Sequence, residues 1–200
     1  GTSEMHFVGA LDRVEGMRCV LGLFEGVCSG AADGYYRMTD KPASTLLHLG
    51  PGLANAAANL HNAKKAGSGI VNIVGEHALY HIKYDTPLTA DIEGIARPFS
   101  HWVKTSPTAK TVAADGAAAI QTARVAPGQI ATLILPSDSS WNEGGEVAGK
   151  ARVVVVIPTR SDRAGVPNIY QGGGKADSKA ACRPSCERLE GIIPACKNDV

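Results

Sequence analysis

Apolar and polar positions alternate in two rhythms along the first part of the chain. Met5, Phe7, Val8, Leu11 and Val14 recur at near-helical spacing and predict a helix over 4–13. The apolar run "MRCVLGLF" (17–24) predicts a short buried strand. Residues 25–39 follow as a Gly-rich helix, and "PASTLLHL" (42–49) reads as a strand closed by a "GPG" turn at 50–52. "LANAAANLHNAKKA" (53–66) is a strong helix, with Lys64 and Lys65 near its C-terminal dipole and Gly67 as its stop. "GIVNIVG" (69–75) is a strand, 76–97 is less regular, and "PFSHWVKTS" (98–106) predicts another strand. A helix over 108–127 and a strand over 129–136, ended by Pro136, complete the series.

Strands that are unbroken apolar runs, alternating with helices, are buried on both faces. The expected fold is therefore α/β, a doubly wound parallel sheet with helices on both faces. Beyond residue 141 the pattern changes: one apolar run, Val153 to Ile157, is followed by turn formers and scattered charge. The expected organisation is one domain over 1–141 and a linker with an irregular, poorly ordered or altered tail over 142–200.

Composition narrows the function. With 44% apolar residues and 20% charged, 200 residues build a real core. A net charge of +1 gives no basis for nucleic-acid binding by bulk charge, and no apolar run is long enough for a membrane span. The opening "GTSEMHFV" has no basic start and no initiating Met, so a processed chain or a fragment is expected. Cys19 and Cys28 sit among apolar or small residues and read as buried thiols. Cys182, Cys186 and Cys196 match no common zinc spacing. The expected compartment is the reducing cytoplasm.

Ligands of open parallel sheets sit at the carboxyl ends of the strands. Three unusual stretches fall there: Glu25-Gly26, His48 to Gly52, and Gly75 to His81. Glu25 closes an apolar run and opens a segment of Gly, Ala and Ser. Burial would raise its pKa and a helix N-terminus would lower it, a balance that suits sharing a proton with a ligand nitrogen. The same acid could equally serve its helix dipole alone. His48 lies among leucines, where a histidine is often a core residue, yet close enough to the strand end for a site role. His77 and His81 lie four apart but lack an evident third metal ligand. Asp33-Gly34 is read as helix packing, and the usual phosphate-loop, dinucleotide and serine-hydrolase motifs are absent.

Taken together, "FEGVCSGAADGYYRMTDKPA" (24–43), "LLHLGPGLANAAANLHNAKKAGSGIVNIVGE" (46–76) and "DIEGIARPFSHWVKTS" (91–106) resemble the N-terminal pyrimidine-binding domain of thiamine-diphosphate-dependent enzymes. Within that family the stretches look like the acetolactate synthase large subunit and its pyruvate oxidase and benzoylformate decarboxylase relatives. The likeness covers about residues 1–140 and starts just after the family's first strand, so the expected sheet lacks that strand.

The resemblance implies that Glu25 hydrogen-bonds the first ring nitrogen of the cofactor aminopyrimidine and so promotes loss of the thiazolium proton. It implies that His48 is a proton-transfer residue, that Gly50, Pro51, Gly52 and Asn55 face the cofactor, and that Ser3 and Glu4 line the substrate site. Glu76 departs from the Gln that many relatives carry. The family's diphosphate and Mg²⁺ are held by a separate domain with a G-D-G…N motif, which this sequence does not contain. The chain is thus expected to bind thiamine diphosphate by its pyrimidine end, to bind no Mg²⁺ itself, and to be inactive alone. Its expected partners are the cofactor, a 2-keto acid, and either a second copy or a complementary cofactor-domain subunit. The expected activity is of acetolactate synthase type. Alternatives are a benzoylformate-type decarboxylase, favoured by His48, and a non-catalytic interaction domain.

Overall fold

The computed structural model describes residues 1–149. The expectations for Val153 to Ile157, the tail cysteines and most of the tail lie outside the described residues.

A 3-10 turn at Thr2–Glu4 leads into α1 (Met5–Leu11). Then come α2 (Glu25–Thr39), β1 (Ala43–His48), α3 (Leu49–Ala66) and β2 (Ile70–Glu76). Two short helices, α4 (Leu79–Ile82) and α5 (Ile92–Ala96), precede β3 (Trp102–Thr105). The series ends with α6 (Ala109–Ala123), β4 (Ile130–Pro136) and α7 (Ser137–Trp141). The four strands form one parallel sheet in the order β1-β2-β4-β3. The chain passes beyond the position of β4 to lay down β3, and α6 brings it back between β2 and β3.

Both faces of the sheet are covered, as the apolar runs demand. On one face Leu47, Ile70, Val74, Ile130 and Ile134 pack with Leu53, Ala56 and Leu60 of α3 and Ala32 of α2. On the other, Val71 and Ala131 pack with Ala119 and Ala123 of α6. β2 and β4 are the central strands, and their alternating residues feed both clusters.

A polar rung crosses the middle of this sheet. Thr45, Asn72 and Thr132 are register partners on β1, β2 and β4 and are all buried. The Thr45 hydroxyl donates to Asn72 Oδ1 at 2.8 Å, and Asn72 Nδ2 donates to Thr132 Oγ1 at 3.1 Å. Ser100 lies 2.7 Å from the same Thr132 hydroxyl. A one-residue slip would strand these groups in apolar surroundings, so the rung specifies register as well as adding bonds.

Several expectations are corrected. Residues 17–24 form no strand: Val20, Leu21 and Leu23 are 69%, 88% and 96% exposed, because no described strand lies beyond β1 to pair with them. Cys19, in the same run, is exposed rather than buried, and Cys28 is half-buried. Gly50-Pro51-Gly52 is not a turn but the first turn of α3, where proline gives up an N–H that has no intrahelical partner anyway. The strand expected over 98–106 shrinks to Trp102–Thr105, since Pro98 to Ser100 lie at the end of the preceding helical segment. Gly67 does stop α3, in the left-handed region at φ 68°.

Candidate functional site

The carboxyl ends of β1 and β2 and the N-termini of α2 and α3 converge on one corner of the sheet. Phe24 is extended (φ −152°, ψ 137°), and Glu25 is the first residue of α2. Its side chain is half-buried. Asn55, in the second turn of α3, donates through Nδ2 to Glu25 Oε2 at 3.1 Å. One turn further on, Asn59 Nδ2 donates to the Gly26 carbonyl at 2.6 Å, and the buried Ser29 hydroxyl donates to the Ala56 carbonyl at 3.1 Å. These cross-links hold the start of α2 in fixed relation to α3. Gly26, Ser29 and Ala32 make the buried face of α2, and their small side chains let the two helices approach closely.

The junction from β1 to α3 is strained. Leu49, wholly buried, has φ 49°, a left-handed conformation that costs a β- or γ-branched L-residue about 1–2 kcal/mol. Burial of its side chain in the main cluster holds it there. The sharp turn leaves His48 half-buried at the strand end. Gly52 sits between the two ionisable groups: a Cβ there would lie 3.5 Å from His48 Cβ and 3.6 Å from Glu25 Oε1. Gly50 is buried against Ala90, with no room for a side chain, while Pro51 is exposed.

Of the expected site residues, Glu25, His48, Gly52 and Asn55 come together here. Gly50, three residues before Leu53 on α3, packs closely against Ala90. Ser3 is buried. Glu4 is 3% exposed, with both carboxylate oxygens 3.0 Å from His48 Nδ1. One further residue takes part that its sequence context did not single out. Asn59 repeats Asn55 at i, i+4, which marks one helix face. Gly75 pairs with His48 across β1 and β2.

Electrostatics differ among the neighbours. Burial raises the Glu76 carboxyl above its ordinary range, and the His77 N–H, which donates to Oε1 at 2.7 Å, offsets part of this. His77 is lowered, by burial first and then by the positive potential of His81 and His48. His77 and His81 stand edge-on with ring centroids 5.8 Å apart. Among the described residues no group of three His, Cys, Asp or Glu side chains could hold a metal, and no helix is long and apolar enough to cross a membrane.

Comparison with known proteins agrees with this geometry. Residues 1–98 match the thiamine pyrophosphate enzyme, N-terminal TPP binding domain. The chain is 56% identical over 148 residues to the Mycobacterium tuberculosis protein named "Putative acetolactate synthase large subunit IlvX", covering 74% of this chain and 28% of that one. It is 31% identical over 139 residues to benzoylformate decarboxylase of Pseudomonas aeruginosa, covering 69% of this chain and 26% of the relative. The crystal structure of benzoylformate decarboxylase from Polynucleobacter necessarius superposes with a TM-score of 0.68 at 26% identity, over 77% of this chain and 29% of that one. The chain thus spans about a quarter of the length of these relatives. The parallel sheet, its helices and the matched sequence place the chain in the thiamine-diphosphate-dependent enzyme family, with residues 1–98 matching that family's N-terminal domain.

Proposed function

We propose that this chain supplies the aminopyrimidine-binding half of a thiamine diphosphate site acting on 2-keto acids, with acetolactate synthase-type chemistry in the assembled enzyme. The observation that carries this reading is the setting of Glu25. Its carboxylate is half-buried, one oxygen is tied to Asn55, and the other faces Gly52 with no side chain in between. A flat heteroaromatic ring with a basic nitrogen fits such a cradle, because an acid is held beside backbone that bears no Cβ. When bound, thiamine diphosphate supplies a carbon nucleophile and an electron sink for decarboxylation.

The chain's own residues have separate tasks in this reading. Glu25 holds a proton at the ring nitrogen it faces. Asn55 and Asn59 fix the start of α2, so Glu25 needs no reorganisation on binding. Gly52 lets the ring approach. The diphosphate and Mg²⁺ are assigned to a complementary polypeptide or to a further segment bearing G-D-G…N, a motif this sequence lacks. The partner is a second copy or that cofactor-domain subunit, and the compartment is the cytoplasm. A benzoylformate-type decarboxylase is the second reading, favoured by His48 at the end of β1 beside Gly52.

The test mixes the chain with a polypeptide carrying the diphosphate- and Mg²⁺-binding domain. Saturable binding of thiamine diphosphate by calorimetry is expected, with exchange of the thiazolium proton followed by NMR. Glu25→Gln should leave binding of the two polypeptides intact and slow the exchange by about 10²-fold. The chain alone should release no carbon dioxide from pyruvate. Equal exchange rates in the parent and in Glu25→Gln would sink the assignment.

A further inference from the structure

Glu4, expected to line the substrate site, is bonded to His48. It is 3% exposed, and both of its oxygens lie 3.0 Å from Nδ1 of His48, 44 residues away. The Gly1 backbone nitrogen lies 2.6 Å from Oε2. An acid buried to this degree is costly unless its oxygens are bonded, and His48 supplies a bond to both. With Glu4 ionised its oxygens only accept, and the contact then places an imidazole proton on Nδ1. Nε2 is then the unprotonated, basic nitrogen of the neutral ring.

The surroundings are cut to fit this pair. Gly75 is the register partner of His48. A Cβ on Gly75 would overlap Glu4 Oε1, so the carboxylate occupies the space that any other residue would fill. A Cβ on Gly1 would likewise strike the His48 ring. Gly75, next to last in β2 and paired with both neighbouring strands, has no positive φ, so conformational need does not explain a glycine there. The slot for Glu4 does. On the other side of His48, the strained Leu49 ends the strand and fixes the direction of the ring's backbone.

We propose that Glu4 is a positioning residue for His48, holding the imidazole as the Nδ1–H tautomer so that Nε2 serves as the base toward the bound substrate. This rests on the reading of the corner as a 2-keto acid site. In the step itself Nε2 takes a proton from the bound molecule, the ring becomes an imidazolium, and the buried carboxylate 3.0 Å away stabilises that charge. The proton then returns to the bound molecule, so the pair ends unchanged. In this role Glu4 acts through His48.

Histidine ¹⁵N NMR of the chain without any ligand tests this, so its result does not depend on whether the cofactor binds. The His48 resonances are assigned by their loss in His48→Gln. In the unaltered chain at alkaline pH, Nδ1 is expected to show the directly bonded proton and Nε2 the shift of a bare nitrogen. Glu4→Met fills the slot with a side chain of similar length that cannot accept, and Gly75→Ala displaces the carboxylate with one methyl group. Each should move His48 toward the Nε2–H form that free imidazole side chains prefer. Two variants guard against one of them failing to fold, which circular dichroism monitors. An Nε2–H tautomer in the unaltered chain, or an unchanged tautomer in a folded variant, overturns the proposal.

Discussion

Asn55 donates to Glu25 across 30 residues of sequence, and this bond joins the first residue of α2 to the second turn of α3. Asn55 itself is exposed and Glu25 half-buried. A hydrogen bond in that setting adds little to stability, at the low end of about 0.5–1.5 kcal/mol. Its consequence for a ligand is larger, because a free Glu25 must be ordered at the moment of binding.

Asn55→Ala is therefore expected to shift the urea midpoint slightly, equivalent to about 0.5 kcal/mol. In the mixture with the cofactor-domain polypeptide it should weaken thiamine diphosphate about tenfold, or about 1.4 kcal/mol. A large stability loss with unchanged cofactor affinity would make Asn55 a packing residue and remove it from the site.

The polar rung Thr45–Asn72–Thr132 gives a prediction about the fold alone. Asn72 is completely buried and bonds both neighbours. Asn72→Val keeps the strand propensity but leaves two hydroxyls short of a partner. The expected cost is about 1–3 kcal/mol for the desolvated groups. The triple change Thr45→Val, Asn72→Val and Thr132→Val should recover part of that loss, since an apolar rung leaves fewer polar groups unpaired. Denaturant melts of the single and triple variants check the sign of the difference. A triple variant less stable than Asn72→Val would mean that packing, not bonding, sets the rung.

What the sequence made legible follows from how locally each feature is determined. β2 and β4 are runs of apolar residues because both of their faces are covered, and that information lies in the runs themselves. The Ala-rich body of α3 and its Gly67 stop are equally local. The run 17–24 was misleading for the opposite reason: its composition suits a strand, but a strand exists only with a neighbour to pair with. Gly50-Pro51-Gly52 misled because the same residues serve turns and first helical turns. At the site, Glu25 and Gly52 could be collected from strand-end positions, and Asn55 only from the family resemblance. The bond from Glu4 to His48 could not, because it depends on where the first turn of the chain folds back over the sheet.

Glu76 supplies a pH dependence. Burial raises its carboxyl, so the folded protein holds that proton to higher pH than the unfolded chain does. Stability from this group is complete below the ordinary carboxylate range and is lost as pH rises through the raised value. Glu76→Gln removes that loss. The variant should match the parent below the ordinary carboxylate range and melt at higher temperature above the raised value. The lowered His77 acts in the opposite sense on the acid side, but it is present in both proteins and cancels from the difference. Thermal melts at matched pH values decide it. A Glu76→Gln variant that is less stable at neutral pH would show that the ionised carboxylate is stabilised by contacts outweighing its burial.

The exposed apolar run before α2 predicts association. Leu21 is 88% exposed and Leu23 96%, and Met17, Val20, Phe24 and Val27 add apolar surface on the same stretch of chain. β1 meanwhile lies at the end of the strand order, with one edge unpaired among the described residues. A patch of several hundred Å² is about the largest that single soluble chains usually leave bare, and an open strand edge adds main-chain donors and acceptors to it. In the proposed assembly this region, next to Glu25, lies against a second polypeptide. The chain by itself should then self-associate at about tens of micromolar, the range in which such surfaces meet in solution. Leu21→Lys with Leu23→Lys should reduce that association without lowering the melting temperature, since neither side chain is packed. The same pair of changes should weaken capture of the cofactor-domain polypeptide. Light scattering and sedimentation of both proteins measure the first effect, and co-elution measures the second. A parent chain that stays monomeric at these concentrations, or a double variant that binds the second polypeptide as well as the parent does, would move the partner surface elsewhere on the molecule.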